Sequence, residues 1–162
     1  MGAHLLTLMQ ARGLDLTAAV ALGMLIGPSA VGARLVEMLA GDRYHPIWTM
    51  TASVVLVALG ACLFLTDAKL FAVAIVLYAS GNGIGSIAKG TLPLALFGPA
   101  RYPSLMGRLA LPIMFAMALS PFLGAVALQR GGATWTFALF LLLALTNVFL
   151  VAVLSILSRK RC

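Results

Sequence analysis

Acidic residues are close to absent from this chain. Four Asp or Glu stand against eleven Lys or Arg in 162 residues, and charged residues of both signs make up only 9%. A soluble domain carries about a quarter charged residues, so this chain has too little charge to coat a surface facing water. Cysteine and histidine are scarce as well: Cys62 sits inside an apolar run, Cys162 is the last residue, and His4 and His45 stand alone. That spacing excludes a disulfide framework and a cysteine or histidine metal site. Also missing are a pair of carboxylates within an apolar segment, a serine with a histidine partner, and any cluster of reactive side chains. The expectation is therefore no enzyme, no cofactor and no metal. Residues 1–10 lack the basic start and the long apolar stretch of a signal peptide.

What is present is apolar. Hydrophobic residues make up 62% of the chain, and the mean hydropathy is +1.09. The core of one soluble domain of this length could not hide that fraction. A bilayer hydrocarbon core about 30 Å thick needs roughly 20 apolar helical residues to cross it. Five runs have that character, over 16–40, 47–66, 70–97, 105–128 and 134–157, with most Arg, Lys and Asp residues between them or at their ends. None alternates polar and apolar residues as a barrel strand would. The expected fold class is all-α: an integral membrane helical bundle of about five transmembrane helices.

The dispersed basic residues argue against nucleic acid as a partner, because they do not line one face. They read better as topology. Arg43, Arg101, Arg108, Arg159, Lys160 and Arg161 fall on one side of the expected bundle, and Arg12, Lys69 and Arg130 on the other. By the positive-inside rule the richer side is cytoplasmic, which makes 159–162 a basic cytoplasmic tail of a multi-pass protein in the cell membrane. Five crossings then put the N-terminus outside. The segment 1–15 reads as the stub of a preceding helix followed by a turn.

The third run is the least uniform. Tyr78, Asn82, Ser86, Lys89 and Pro93 follow at steps of three or four and share one helical face. Gly81, Gly83, Gly85 and Gly90 leave room beside it for backbone or ligand to approach closely. Lys89 lies about 12 Å from the end of its run, where a cation costs about 2.5 to 3.5 kcal/mol to insert. Asp15, Glu37, Asp42 and Asp67 all lie near the ends of runs, so a buried carboxylate partner for Lys89 is not expected. Lys89 either snorkels to the headgroups on its four-carbon stem or faces a cavity, where it would attract an anionic group.

At the end of the first run, Arg34 and Glu37 are spaced to pair across one turn, with Asp42 and Arg43 just beyond. The four read as a charged latch or as simple interfacial anchors. Gly23 and Gly27 are spaced for close helix packing. The fourth run carries Pro112 and Pro121 with methionines between them, which suits a bent helix with adaptable filling. Thr146 and Asn147 in the fifth read as hydrogen bonds to a neighbouring helix.

Three segments carry a family resemblance: Gly27-Pro28-Ser29-Ala-Val-Gly32-Ala-Arg34 leading to Gly41-Asp42-Arg43; Gly81-Asn82-Gly-Ile-Gly-Ser86 running into Gly90-Thr-Leu-Pro93-Leu-Ala-Leu-Phe97-Gly98; and Gly107-Arg108. Together they resemble the C-terminal half of a major facilitator superfamily transporter, and the likeness covers nearly the whole chain. Members have twelve helices in two six-helix halves, each built from inverted three-helix repeats. The resemblance implies that 1–15 ends the seventh family helix, that the five runs are the eighth to the twelfth, and that the partnering N-terminal half is missing. It makes Gly32 to Arg43 the weaker copy of a cytoplasmic loop motif, without the basic cluster that follows in the fuller one. It places Tyr78, Asn82, Ser86 and Lys89 toward a small-molecule substrate, because the tenth family helix lines the central cavity. The function implied is transmembrane transport of a small solute. The other reading of the same residues is a membrane-embedded interaction or assembly protein that transports nothing.

Overall fold

The computed structural model describes residues 5–40, 43–66 and 68–159, and all regular structure among them is helical. Helix α1 is Leu5–Ala11, α2 is Leu16–Gly23, α3 is Ile26–Ala40 and α4 is Pro46–Leu63. A 3-10 turn at Ala68–Leu70 leads into Phe71–Arg159, which is helical except at Gly98 and Gly132. We number its segments α5 (71–97), α6 (99–131) and α7 (133–159). Three helical stretches, Leu16–Ala40, Pro46–Leu63 and Phe71–Ser158, are long and apolar enough to cross a membrane.

Local chemistry explains the ends. Asp15 caps α2 by accepting from the Thr17 N–H, and the His45 Nδ1 accepts from Ile47 N–H ahead of Pro46, which starts α4. The turn between α2 and α3 divides the expected 16–40 run. Pro28 has no N–H to offer the Met24 carbonyl one turn back, and the Leu25 N–H bonds instead to Leu22 in a tighter turn.

Gly98 (φ 73°, ψ 167°) and Gly132 (φ 71°, ψ −174°) occupy a region of backbone space open essentially to glycine alone. Pro99 follows the first, where its missing N–H costs nothing at the start of α6. Both breaks are reversals. A straight helix would put Phe71 and Phe137 about 100 Å apart, whereas their ring centroids lie 6.4 Å apart. The bundle therefore consists of five rods running alternately up and down: α2 with α3, then α4, α5, α6 and α7.

One cluster gathers the rod ends on one side. Leu8, Met9, Phe64, Phe71, Ile75 and Phe137 are buried together, with Leu14, Leu128 and Ala133 against them. The rings of Phe64 and Phe137 stack at 5.3 Å, and Phe71 meets Phe64 edge-on at 5.7 Å. Arg12 closes this end. It donates to the Phe64 carbonyl at 3.2 Å and its guanidinium lies 5.6 Å from the centre of the Phe137 ring.

Towards the middle, glycine sets the spacing. A Cβ on Gly81 would lie 2.8 Å from Ser53 O of α4, and one on Gly83 would lie 2.5 Å from Ala30 O of α3. Gly23 and Gly27 meet nothing within 4 Å, so the packing expected at that pair occurs at Gly60, Gly81, Gly83 and Gly85 instead.

The two reversals make a direct prediction. Gly132→Ala forces a side chain into a glycine-only conformation and should lower stability by about 1 to 3 kcal/mol. Gly107→Ala, in a helical and uncrowded position, should be neutral or stabilise by up to about 1 kcal/mol. Unfolding midpoints of the two variants in mild detergent check the contrast.

Candidate functional site

Between α4, α5, α6 and α7 lies a cavity of about 710 Å³, within the range of small-molecule sites. Its walls are largely apolar, with Val54 and Val57 from α4, Leu119 and Leu123 from α6, and Phe140 and Leu143 from α7. Leu8 of α1 reaches it from the aromatic end. Six polar side chains line it: Ser53, Asn82, Lys89, Ser120, Thr136 and Asn147.

These six differ in what they have left to offer. Ser53 donates to Gly81 O at 2.8 Å and Thr136 to Gly132 O at 2.9 Å, so their protons are used in holding helices. Asn82 donates to Tyr78 O at 3.0 Å through its amide nitrogen and keeps its carbonyl oxygen. Lys89, Ser120 and Asn147 make no hydrogen bond or ion pair among the described residues. Counted along their helices from the aromatic end at about 1.5 Å per residue, Asn82 and Ser120 lie at about 17 Å, Asn147 at about 21 Å and Lys89 at about 27 Å. No Asp or Glu among the described residues lines the cavity.

The expected stripe divides. Asn82 and Lys89 reach the cavity together with Gly85, and at about 100° per residue these three fall within an arc of about 60°. Ser86 is turned about 100° from Gly85 and donates to Gly83 O of its own helix at 2.7 Å. Tyr78 lies one turn nearer the aromatic end, where its ring packs against Phe64 at 6.4 Å and Phe140 at 5.6 Å. Neither Tyr78 nor Ser86 lines the cavity.

Ser120 and Asn147 were not singled out from the sequence as site residues. Thr146, beside Asn147, bonds to Leu142 O within its own helix at 2.9 Å, and only Asn147 turns inward. The available signal was that Ser120 precedes a proline and that Asn147 is the one amide side chain in its run.

The charged group at the far end of α3 also takes a different form. Arg34 and Glu37 do not pair with each other. Arg34 reaches α5 and donates through Nε to Gly83 O at 3.4 Å, while Glu37 accepts from Thr49 Oγ1 of α4 at 2.6 Å. Each side chain finds a partner on a neighbouring helix, so the two tie α3 to both neighbours where a pairing within one turn would have tied it to neither. Arg43 is exposed, and Asp42 lies outside the described residues.

No family model, curated protein or solved structure matches this chain at a significant level.

A charged acceptor bonded to a buried hydroxyl is worth about 1.5 to 3 kcal/mol. Glu37 is half-buried, so Thr49→Val should lower stability by about 1 to 2 kcal/mol and Thr49→Ser by clearly less. Chemical unfolding in detergent measures the difference, and equal losses for the two variants would point to lost packing in place of the hydrogen bond.

Proposed function

We propose that this chain is an integral membrane protein that acts in transmembrane transport of a small solute, as the C-terminal half-bundle of a secondary transporter of the major facilitator type. In this reading five rods cross the bilayer, a partnering N-terminal half faces the cavity, and the substrate binds between the two. The end carrying Arg43, Arg101 and Arg108 is cytoplasmic by its excess of positive charge, as is the C-terminus. Motion of one half against the other would open the cavity to each side in turn.

The observation that carries the reading is Lys89. A lysine about two thirds of the way along an apolar rod, lining a cavity without an acidic partner among the described residues, is costly unless it serves a water-filled path or a ligand. The polar groups beside it on α5, α6 and α7 support the same reading, because sites in bundles of this kind lie near mid-membrane on facing helices. No acidic residue among those described lines the cavity, so a proton-carrying carboxylate, if one is used, belongs to the other half.

Two-sided access tests the proposal against an assembly role. With Cys62 and Cys162 replaced by Ala, Ser120→Cys provides one thiol on the cavity wall. In sealed membrane vesicles from cells that naturally make the protein, a membrane-impermeant methanethiosulfonate should label it in both right-side-out and inside-out preparations. Labelling from one side alone, or from neither, would rule out alternating access and favour a structural or assembly protein.

A further inference from the structure

The cavity has a chemical asymmetry that selects among solutes. Among the described residues its single charged lining residue is Lys89, and no carboxylate lines it to neutralise that charge. Asn147 and Ser120, both without partners among the described residues, lie within about 10 Å of the Lys89 level along the bundle axis. The ammonium, the hydroxyl and the amide all offer protons to an acceptor. Toward the aromatic end the character changes. Phe140, Leu123, Ala127 and Leu8 line it, and Thr136 has already given its proton to Gly132 O.

A solute that satisfies both ends needs one anionic group and an apolar body. A dianion would leave one charge facing Leu and Phe without a partner, and a desolvated unpaired charge is strongly disfavoured. A cation would meet Lys89 with no carboxylate to offset the repulsion. A sugar would leave most of its hydroxyls against apolar walls, each costing a hydrogen bond to water. We infer that the cavity binds an amphipathic monoanion, such as a monocarboxylate with an aromatic or alkyl body, its carboxylate at Lys89, Asn147 and Ser120 and its body along α6 and α7 toward Leu8. This rests on the transport reading above and names the class of solute.

Protection of a cavity thiol tests the class. The full chain carrying Leu143→Cys, with Cys62 and Cys162 replaced by Ala, is reconstituted into nanodiscs of zwitterionic lipid. Its labelling by a neutral maleimide is then timed with 4-phenylbutanoate, 4-phenylbutanamide or 4-phenylbutylamine present at equal concentration. The carboxylate should slow labelling at least about tenfold more than the amide or the amine. Lys89→Met should abolish that preference, and Lys89→Arg should retain it.

Equal protection by all three compounds would overturn the anion assignment. So would a preference that survives Lys89→Met, since it would have another source. Protection by none of the three would also overturn it. Any of these outcomes leaves the transport reading to stand or fall on two-sided labelling at Ser120→Cys, so the two failures are separable.

Discussion

Gly81 and Gly85 let α5 lie so close to α4 that a methyl group on either would overlap Ser53, and Gly83 does the same against Ala30 of α3. Lipid tails are as apolar as leucine, so burying leucine gives membrane helices little reason to associate. Contact between small residues, together with hydrogen bonds across the gap, has to hold them. The Ser53 hydroxyl donating to Gly81 O is such a bond, made possible by the missing side chain. With its glycine faces pressed on α3 and α4, α5 has one polar face left over. Asn82, Gly85 and Lys89 line the cavity, while Val73, Val76 and Leu94 of the same helix stay exposed.

Two cations of the bundle have opposite fates. Arg12 is half-buried at the aromatic end, bonded to Phe64 O and stacked over Phe137, and its buried Nε has no partner among the described residues. Its planar head suits a carbonyl and an aromatic face together. It joins the end of α1 to the chain after α4 and to α7, which is a structural role. Lys89 has a compact ammonium on a flexible stem and no partner among the described residues, in a largely apolar wall whose other polar side chains are uncharged. One cation holds the bundle's end together, and the other has no partner among the described residues.

Much of the architecture was legible in the chain itself. The deficit of charge, the apolar runs and the scarcity of reactive side chains define an all-helical chain with helices long enough to cross a membrane. The breaks at Gly98 and Gly132 fall in the gaps between those runs, because a glycine-proline pair and a glycine-glycine pair are local signals that no distant contact is needed to interpret. The turn at 24–25 was also written locally, in Pro28, although an unbroken apolar run conceals it.

What the sequence could not decide is which way each polar side chain turns. Helical periodicity places Tyr78, Asn82, Ser86 and Lys89 on one side of α5, but the aromatic cluster takes Tyr78, the helix's own backbone takes Ser86, and only Asn82 and Lys89 reach the cavity. Arg34 and Glu37 are spaced to pair, yet Gly83 O and Thr49 compete successfully because α5 and α4 bring them within reach. Ser120 and Asn147 join the site only through the two reversals that fold α6 and α7 back beside α5. Spacing along a chain determines the faces of a helix, and the packing of neighbouring helices determines what each face meets.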